Sequence, residues 1–418
     1  MQIERLGYDR VVQELIRNVI EVFSKILKPV SVILVGSASR AELSYRLNNN
    51  TLELFSDLEF IIITNASQPQ VSEVQRTIRK LEVPFQLNPL FHIDYSILDN
   101  ATFRRNAVFG HIRTLEMIEN GKIVYGKNLL MNIPSLSIED LEPGRLRELI
   151  LNRLFNMLLY TPDDIVKKKC DSHTELLYKY VLSRNLLEIP TILLPFLGVC
   201  RTSYSTRLQW LRENGEVLIA NGIDLEFVDS QEKALRGKMD LCFSDNMPSI
   251  LGEVLTYYRK LICWLVKHQF DNPEDSELFR LIKENGLNML EGRRGLWRFY
   301  KIYELGLCAS SLKHCTIIEL FEWLNISKRD YAVLFMILMH QALLEHLKED
   351  QGLAKLCLNS AVDVLQKISL GRFSMRDDAE FSIKWNIARK KFIKVLLPIM
   401  RWEGRIDECM RVLDFKYI

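Results

Sequence analysis

Two short apolar runs joined by a polar turn constrain this chain most. Val32-Ile33-Leu34-Val35 runs straight into Gly36-Ser37, and Phe55-Ser56-Asp57-Leu58-Glu59 leads into Phe60-Ile61-Ile62-Ile63. Each run is short, bounded and rich in Val and Ile, which favours a buried strand over a helix. At the end of the first, Gly36 lets the backbone turn tightly and approach a ligand closely. On the second, Asp57 and Glu59 are two residues apart, so strand geometry projects both from one side. Two carboxylates on an otherwise buried strand repel unless something positive lies between them, and a divalent metal ion meets that need.

Further elements follow in order. Residues 8–27 carry Val12, Leu15, Ile16, Val19, Ile20 and Phe23 at three-and-four spacing, an amphipathic helix. Gln68 to Leu81 reads as a second helix, and Phe91 to Ile97 as a third strand. Along that strand Phe91, Ile93, Tyr95 and Ile97 share one face while His92, Asp94 and Ser96 share the other. Asp94 is therefore the natural third carboxylate, and Asp99, beside Asn100, is expected to start a turn. His92 is read as a core histidine or one supporting the site from behind. Thr102 to Asn120 reads as a helix, followed by Gly121-Lys122-Ile123-Val124-Tyr125-Gly126, and the Pro-containing stretch 132–144 reads as a linker.

A hydrophobic strand, Gly-Ser, a variable loop and Asp-x-Glu on the next strand resemble the polymerase-beta-like nucleotidyltransferase superfamily. The form Ser56-Asp57-Leu58-Glu59 most resembles the kanamycin-type antibiotic enzymes. Ser39-Arg40 sits where members often carry a small residue and an Arg, and the turn ending Tyr125-Gly126 is similar to the close of their catalytic domain. The stretch from Leu43 to Asn50 is longer than in many members and reads as an inserted loop, with the Asn48-Asn49-Asn50 run as its turn. The resemblance implies an Mg²⁺ site, with Mn²⁺ as an alternative, on Asp57, Glu59 and Asp94. It also implies an NTP, expected to be ATP, held by Gly36, Ser37 and Arg40.

From Arg145 the periodicity is almost wholly helical. In a helix expected from Asp163 to Leu187, Glu175 and Lys179 are one turn apart, which suits a surface ion pair. The segment is also similar to the second-domain helix of the kanamycin-type enzymes, which implies Lys179 as a phosphate ligand and Glu175 as a base for the acceptor hydroxyl. Asp94 can fill the same role, so the base is either. The resemblance ends near residue 200. Beyond it, helices are expected around 251–267, 278–290, 294–305, 330–347, 353–368 and 381–397. The last carries the one basic cluster of note, Lys384, Arg389, Lys390, Lys391 and Lys394, with Arg401 and Arg405 just beyond. Such a run usually forms a solvated helix face, with phosphate-bearing or RNA acceptors as the alternative.

Composition bounds the partners. The chain of 418 residues, 48% hydrophobic and 26% charged, has a core large enough for several domains, and its net charge of +2 does not predict a global polyanion partner. Eight Cys stand singly without a Cys-x-x-Cys, as expected of reduced thiols in a cytoplasmic protein. No signal peptide or membrane span is expected.

The fold expectation is α+β: a nucleotidyltransferase domain with a mixed sheet over 1–131, a helical domain completing the nucleotide cleft over 145–235, and an all-helical domain over 248–418. The functional expectation is Mg²⁺-dependent transfer of an NMP from an NTP to a hydroxyl of a small molecule or protein, releasing pyrophosphate. The alternatives are a polymerising or cyclic-nucleotide-forming enzyme, with nucleic acid not favoured as partner, or a catalytically idle nucleotide-binding module.

Overall fold

The computed structural model of the protein describes residues 4, 6–48, 51–85, 88, 90–107, 111–141, 143–267, 328–369 and 379–399. The helices expected at 278–290 and 294–305, and Arg401 and Arg405, lie outside these residues. The chain groups into two compact units, both discontinuous in sequence. The first holds residues 1–146 and 190–244, the second 147–189 and 245–417.

The first unit is built on a four-stranded mixed sheet in the order β5-β4-β1-β6. Its strands are β1 (Ser31–Val35), β4 (Leu58–Ile63), β5 (Ile93–Leu98) and β6 (Lys122–Gly126). β1 runs antiparallel to β4 and β6, while β4 and β5 run parallel. One face of the sheet buries Val32, Leu34, Leu58, Phe60, Ile62 and Ile93 with helices α1 (Arg10–Leu27) and α3 (Gln68–Glu82). The α1 stripe read from the sequence is the buried one: Val12, Ile16, Val19 and Phe23 are fully excluded from solvent. The other face packs Ile33 and Ile63 against Phe103, Ala107 and Met117, from α4 (Asn100–Asn106) and α5 (Ile112–Asn120).

Two expectations change here. The stretch from Leu43 is a β-hairpin, β2 (Tyr45–Asn48) and β3 (Thr51–Leu54), not an irregular loop. Its base is tied by Phe55 N–H to the Ser44 carbonyl at 2.9 Å and Ser44 N–H to Ser56 Oγ at 3.1 Å, which delivers the chain to Asp57. The single helix expected over 102–120 is two. Asp99 caps the first, accepting from Thr102 N–H at 2.8 Å, and the His111 ring caps the second, accepting from Arg113 N–H at 3.0 Å.

The second unit is helical among the described residues. Its helices include Ser172–Leu187, Met247–Lys267, Lys328–Leu347, Gln351–Ser369 and Phe381–Ile399. The helix expected over 163–187 is split into Asp163–Val166 and Ser172–Leu187, the latter capped by Asp171, which accepts from Thr174 N–H at 2.6 Å. Among the described residues no helix is long and apolar enough to cross a membrane.

Candidate active site

The acidic residues gather where β1 ends and β4 and β5 begin. Val35 pairs with Glu59 across the antiparallel ladder, and Glu59 pairs with Asp94 across the parallel one. Register partners on adjacent strands present their side chains to the same face. Asp57 lies one residue before β4, two residues ahead of Glu59. The face shared by Glu59 and Asp94 is the one that packs on α4 and α5, whereas Leu58, Phe60 and Ile62 turn to the opposite core.

Gly36 explains how the carboxylate of Glu59 fits. Its φ of +68° lies in the left-handed region, and a Cβ there would sit 1.6 Å from Glu59 Oε2. Glu59 thus rests directly on the backbone of the Gly36-Ser37 turn, a contact that any side chain at position 36 would obstruct. The turn opens the short helix α2 (Gly36–Ser39), and the Ser39 hydroxyl donates back to the Gly36 carbonyl at 2.9 Å. The Ser37 carbonyl accepts from Glu42 N–H at 2.9 Å, and Tyr8 donates to the Ala38 carbonyl at 2.9 Å. These bonds fix the turn from both sides.

Asp57, its side chain only 10% exposed, has Nδ1 of His92 2.9 Å from its Oδ1. Among the described residues no three His, Cys, Asp or Glu side chains form a ready-made metal cage. The donors present are hard carboxylate oxygens, and Mg²⁺ is commonly held by one or two carboxylates together with substrate phosphates. Asp57 and Glu59 carry donors suited to that mode, and Asp94 is the register partner of Glu59.

Arg40 is placed differently from the expectation of a nucleotide ligand. Its guanidinium is buried, 2.9 Å from Glu42 and 3.5 Å from Glu116, and stands 5.4 Å above the Tyr204 ring. Burial opposes its charge, yet Glu116, Tyr204 and Glu42 outweigh burial and raise its pKa. Around the same ring stand Arg207 at 5.6 Å and Lys238 at 5.4 Å. Arg207 pairs with Glu116, Glu42 accepts from Ser205 N–H at 3.1 Å, and Lys238 donates to the Glu42 carbonyl and, at 3.1 Å, to Ser44 Oγ. This network binds helices Tyr204–Glu213 and Glu226–Asp240 to the turn that follows Gly36-Ser37. Tyr204, Arg207 and Lys238 were missed because lone charged or aromatic residues in helices carry no spacing that marks them.

Glu175 and Lys179 lie in the second unit, on Ser172–Leu187, and pair with each other at 2.8 Å. The basic cluster of the last helix is not a solvated face. Lys384 and Arg389 are buried, and Arg389 binds the Thr161 carbonyl and Asp163 while stacking 4.9 Å over Trp385. Only Lys394 of that cluster is well exposed. Of the cysteines, Cys170, Cys200, Cys242 and Cys357 are free thiols. No protein-family model matches the chain, and no curated protein or solved structure matches it either.

Proposed function

We propose that the protein is an Mg²⁺-dependent nucleotidyltransferase that moves an NMP from an NTP, ATP first among candidates, to the hydroxyl of a small molecule or protein. The observation that carries this reading is the seating of Glu59 on Gly36, with Asp94 its register partner on the same sheet face and Asp57 at the entry to β4. A glycine turn whose backbone can meet phosphates, set against paired carboxylates, suits the charge demands of the reaction.

In that reaction the acceptor oxygen attacks the α-phosphorus, the bond from that phosphorus to the α,β-bridging oxygen breaks, and pyrophosphate departs. Asp57 and Glu59 would hold Mg²⁺, which when bound neutralises charge that builds on the leaving group. The Gly36-Ser37 turn would orient the triphosphate through its backbone N–H groups and the Ser37 hydroxyl. The acceptor proton would pass to a carboxylate, and Asp94, the register partner of Glu59, is the better supported base. Glu175 remains the other candidate, engaged with Lys179, whose phosphate-binding role stands as part of the same proposal.

The test is label transfer. The protein is incubated with Mg²⁺, each α-labelled NTP in turn and a cell extract, desalted or not, beside Asp57→Asn. The reading expects label on a small species that desalting removes, or on protein, and none with Asp57→Asn. A ladder or a compact nucleotide product made without extract would replace the acceptor reading with the polymerase or cyclase one. Label that ignores Asp57 would overturn the assignment of the site.

A further inference from the structure

We infer that His92 is a positioning residue for Asp57: it fixes the rotation of the carboxylate so that the other oxygen faces the triphosphate and its metal ion. The inference deepens the nucleotidyltransferase reading and rests on it. Three contacts carry it. Nδ1 of His92 lies 2.9 Å from Asp57 Oδ1. Leu58 N–H donates to the His92 carbonyl at 3.1 Å, the rung next to the first β4–β5 pair, Leu58 with Ile93, so the backbone sets residues 57 and 92 side by side before their side chains meet. One residue on, Ile93 N–H donates to Glu82 Oε1 at 2.7 Å, so the start of β5 is anchored from α3 as well.

His92 is thus held by backbone on both strands, and its ring is half-buried on the face that carries Asp94. A carboxylate on a strand end is otherwise free to rotate about two bonds. The approach of an imidazole nitrogen to one oxygen, an ion-pair contact at 2.9 Å, limits that rotation and gives the other oxygen a preferred direction, as outer-shell groups do for metal-binding carboxylates. An ordinary core histidine would pack against apolar neighbours and have no reason to meet the carboxylate that leads into β4.

The experiment uses the full chain with Mn²⁺ and α,β-methylene-ATP, which binds but cannot transfer its nucleotide. Free Mn²⁺ is counted by electron paramagnetic resonance for the wild type, His92→Ala, His92→Asn and Asp57→Asn, and thermal melting is recorded for each. Asn places an amide N–H close to where the imidazole has Nδ1. The expectation is Mn²⁺ binding weakened about 10- to 100-fold in His92→Ala, restored to within about threefold in His92→Asn, and lost in Asp57→Asn. Folded His92→Ala that binds Mn²⁺ as the wild type does would overturn the inference. So would equal losses of binding and melting temperature in both His92 variants, because these mark a merely structural ring. Equal Mn²⁺ binding by the wild type and Asp57→Asn would overturn the carboxylate reading itself, and this inference with it.

Discussion

Replacing Gly36 by Ala should separate backbone strain from displacement of Glu59, the carboxylate proposed to hold the metal ion. At φ +68° an alanine is strained by about 1–2 kcal/mol. The added Cβ would also fall 1.6 Å from Glu59 Oε2, far inside contact distance. That oxygen is the far end of a flexible side chain, so the carboxylate can swing aside at little cost in stability. The loss of folding free energy should therefore stay near the backbone strain, about 1–2 kcal/mol by urea denaturation. Nucleotidyl transfer should fall far more, by about 100-fold or beyond, since a displacement on this scale spoils the alignment of reacting groups. Comparing Gly36→Ala, Glu59→Ala and the double variant tests the partition. Their stability effects should add within about 0.5 kcal/mol, while the activity effects should not. A stability loss well above 3 kcal/mol that Glu59→Ala relieves would refute the reasoning, and so would full activity in Gly36→Ala.

Arg40→Ala should cost about 3 kcal/mol, because it takes the paired cation from buried Glu42, while Glu116 keeps Arg207; a raised KM for NTP with unchanged stability would instead make Arg40 a nucleotide ligand. Arg389→Ala should cost a comparable amount, read as a lowered urea midpoint, because the guanidinium joins the Thr161 carbonyl, Asp163 and the Trp385 ring. His340 is wholly buried, with Nε2 3.3 Å from the Leu154 carbonyl, and burial pushes its pKa down from 6.5 to about 4. The unfolded chain therefore binds the extra proton first. Stability is full above pH 6.5 and is lost as pH falls from there toward 4, by roughly 3 kcal/mol in all. Urea denaturation across that window should show a flatter profile for His340→Leu than for the wild type.

The strands were legible because Val and Ile runs of strand length leave little choice of structure, and the Asp-x-Glu spacing follows from strand geometry alone. Asp94 was legible for the same reason, and the ladder places it level with Glu59. The hairpin was hidden by its Asn run, which marks a turn but not the strands on either side, and Tyr45-Arg46-Leu47 and Leu52-Glu53-Leu54 are too short to stand out. The membership of residues 190–244 in the first unit could not be read locally. It depends on Glu42, Arg207 and Lys238, whose partners lie 91 to 196 residues away in sequence. The basic last helix misled for a related reason: a charge pattern gives no sign that Trp385, Thr161 and Asp163 wait to enclose Arg389.

The most direct test of the central claim follows the two ends of the triphosphate separately. ATP labelled at the α-phosphate and ATP labelled at the γ-phosphate are supplied in parallel with Mg²⁺ and extract to the wild type and to Glu59→Gln. Nucleotidyl transfer places the α-label on the acceptor and the γ-label in pyrophosphate, and both signals vanish in Glu59→Gln. A γ-label on the acceptor, or an α-label transferred equally by Glu59→Gln, would contradict the account.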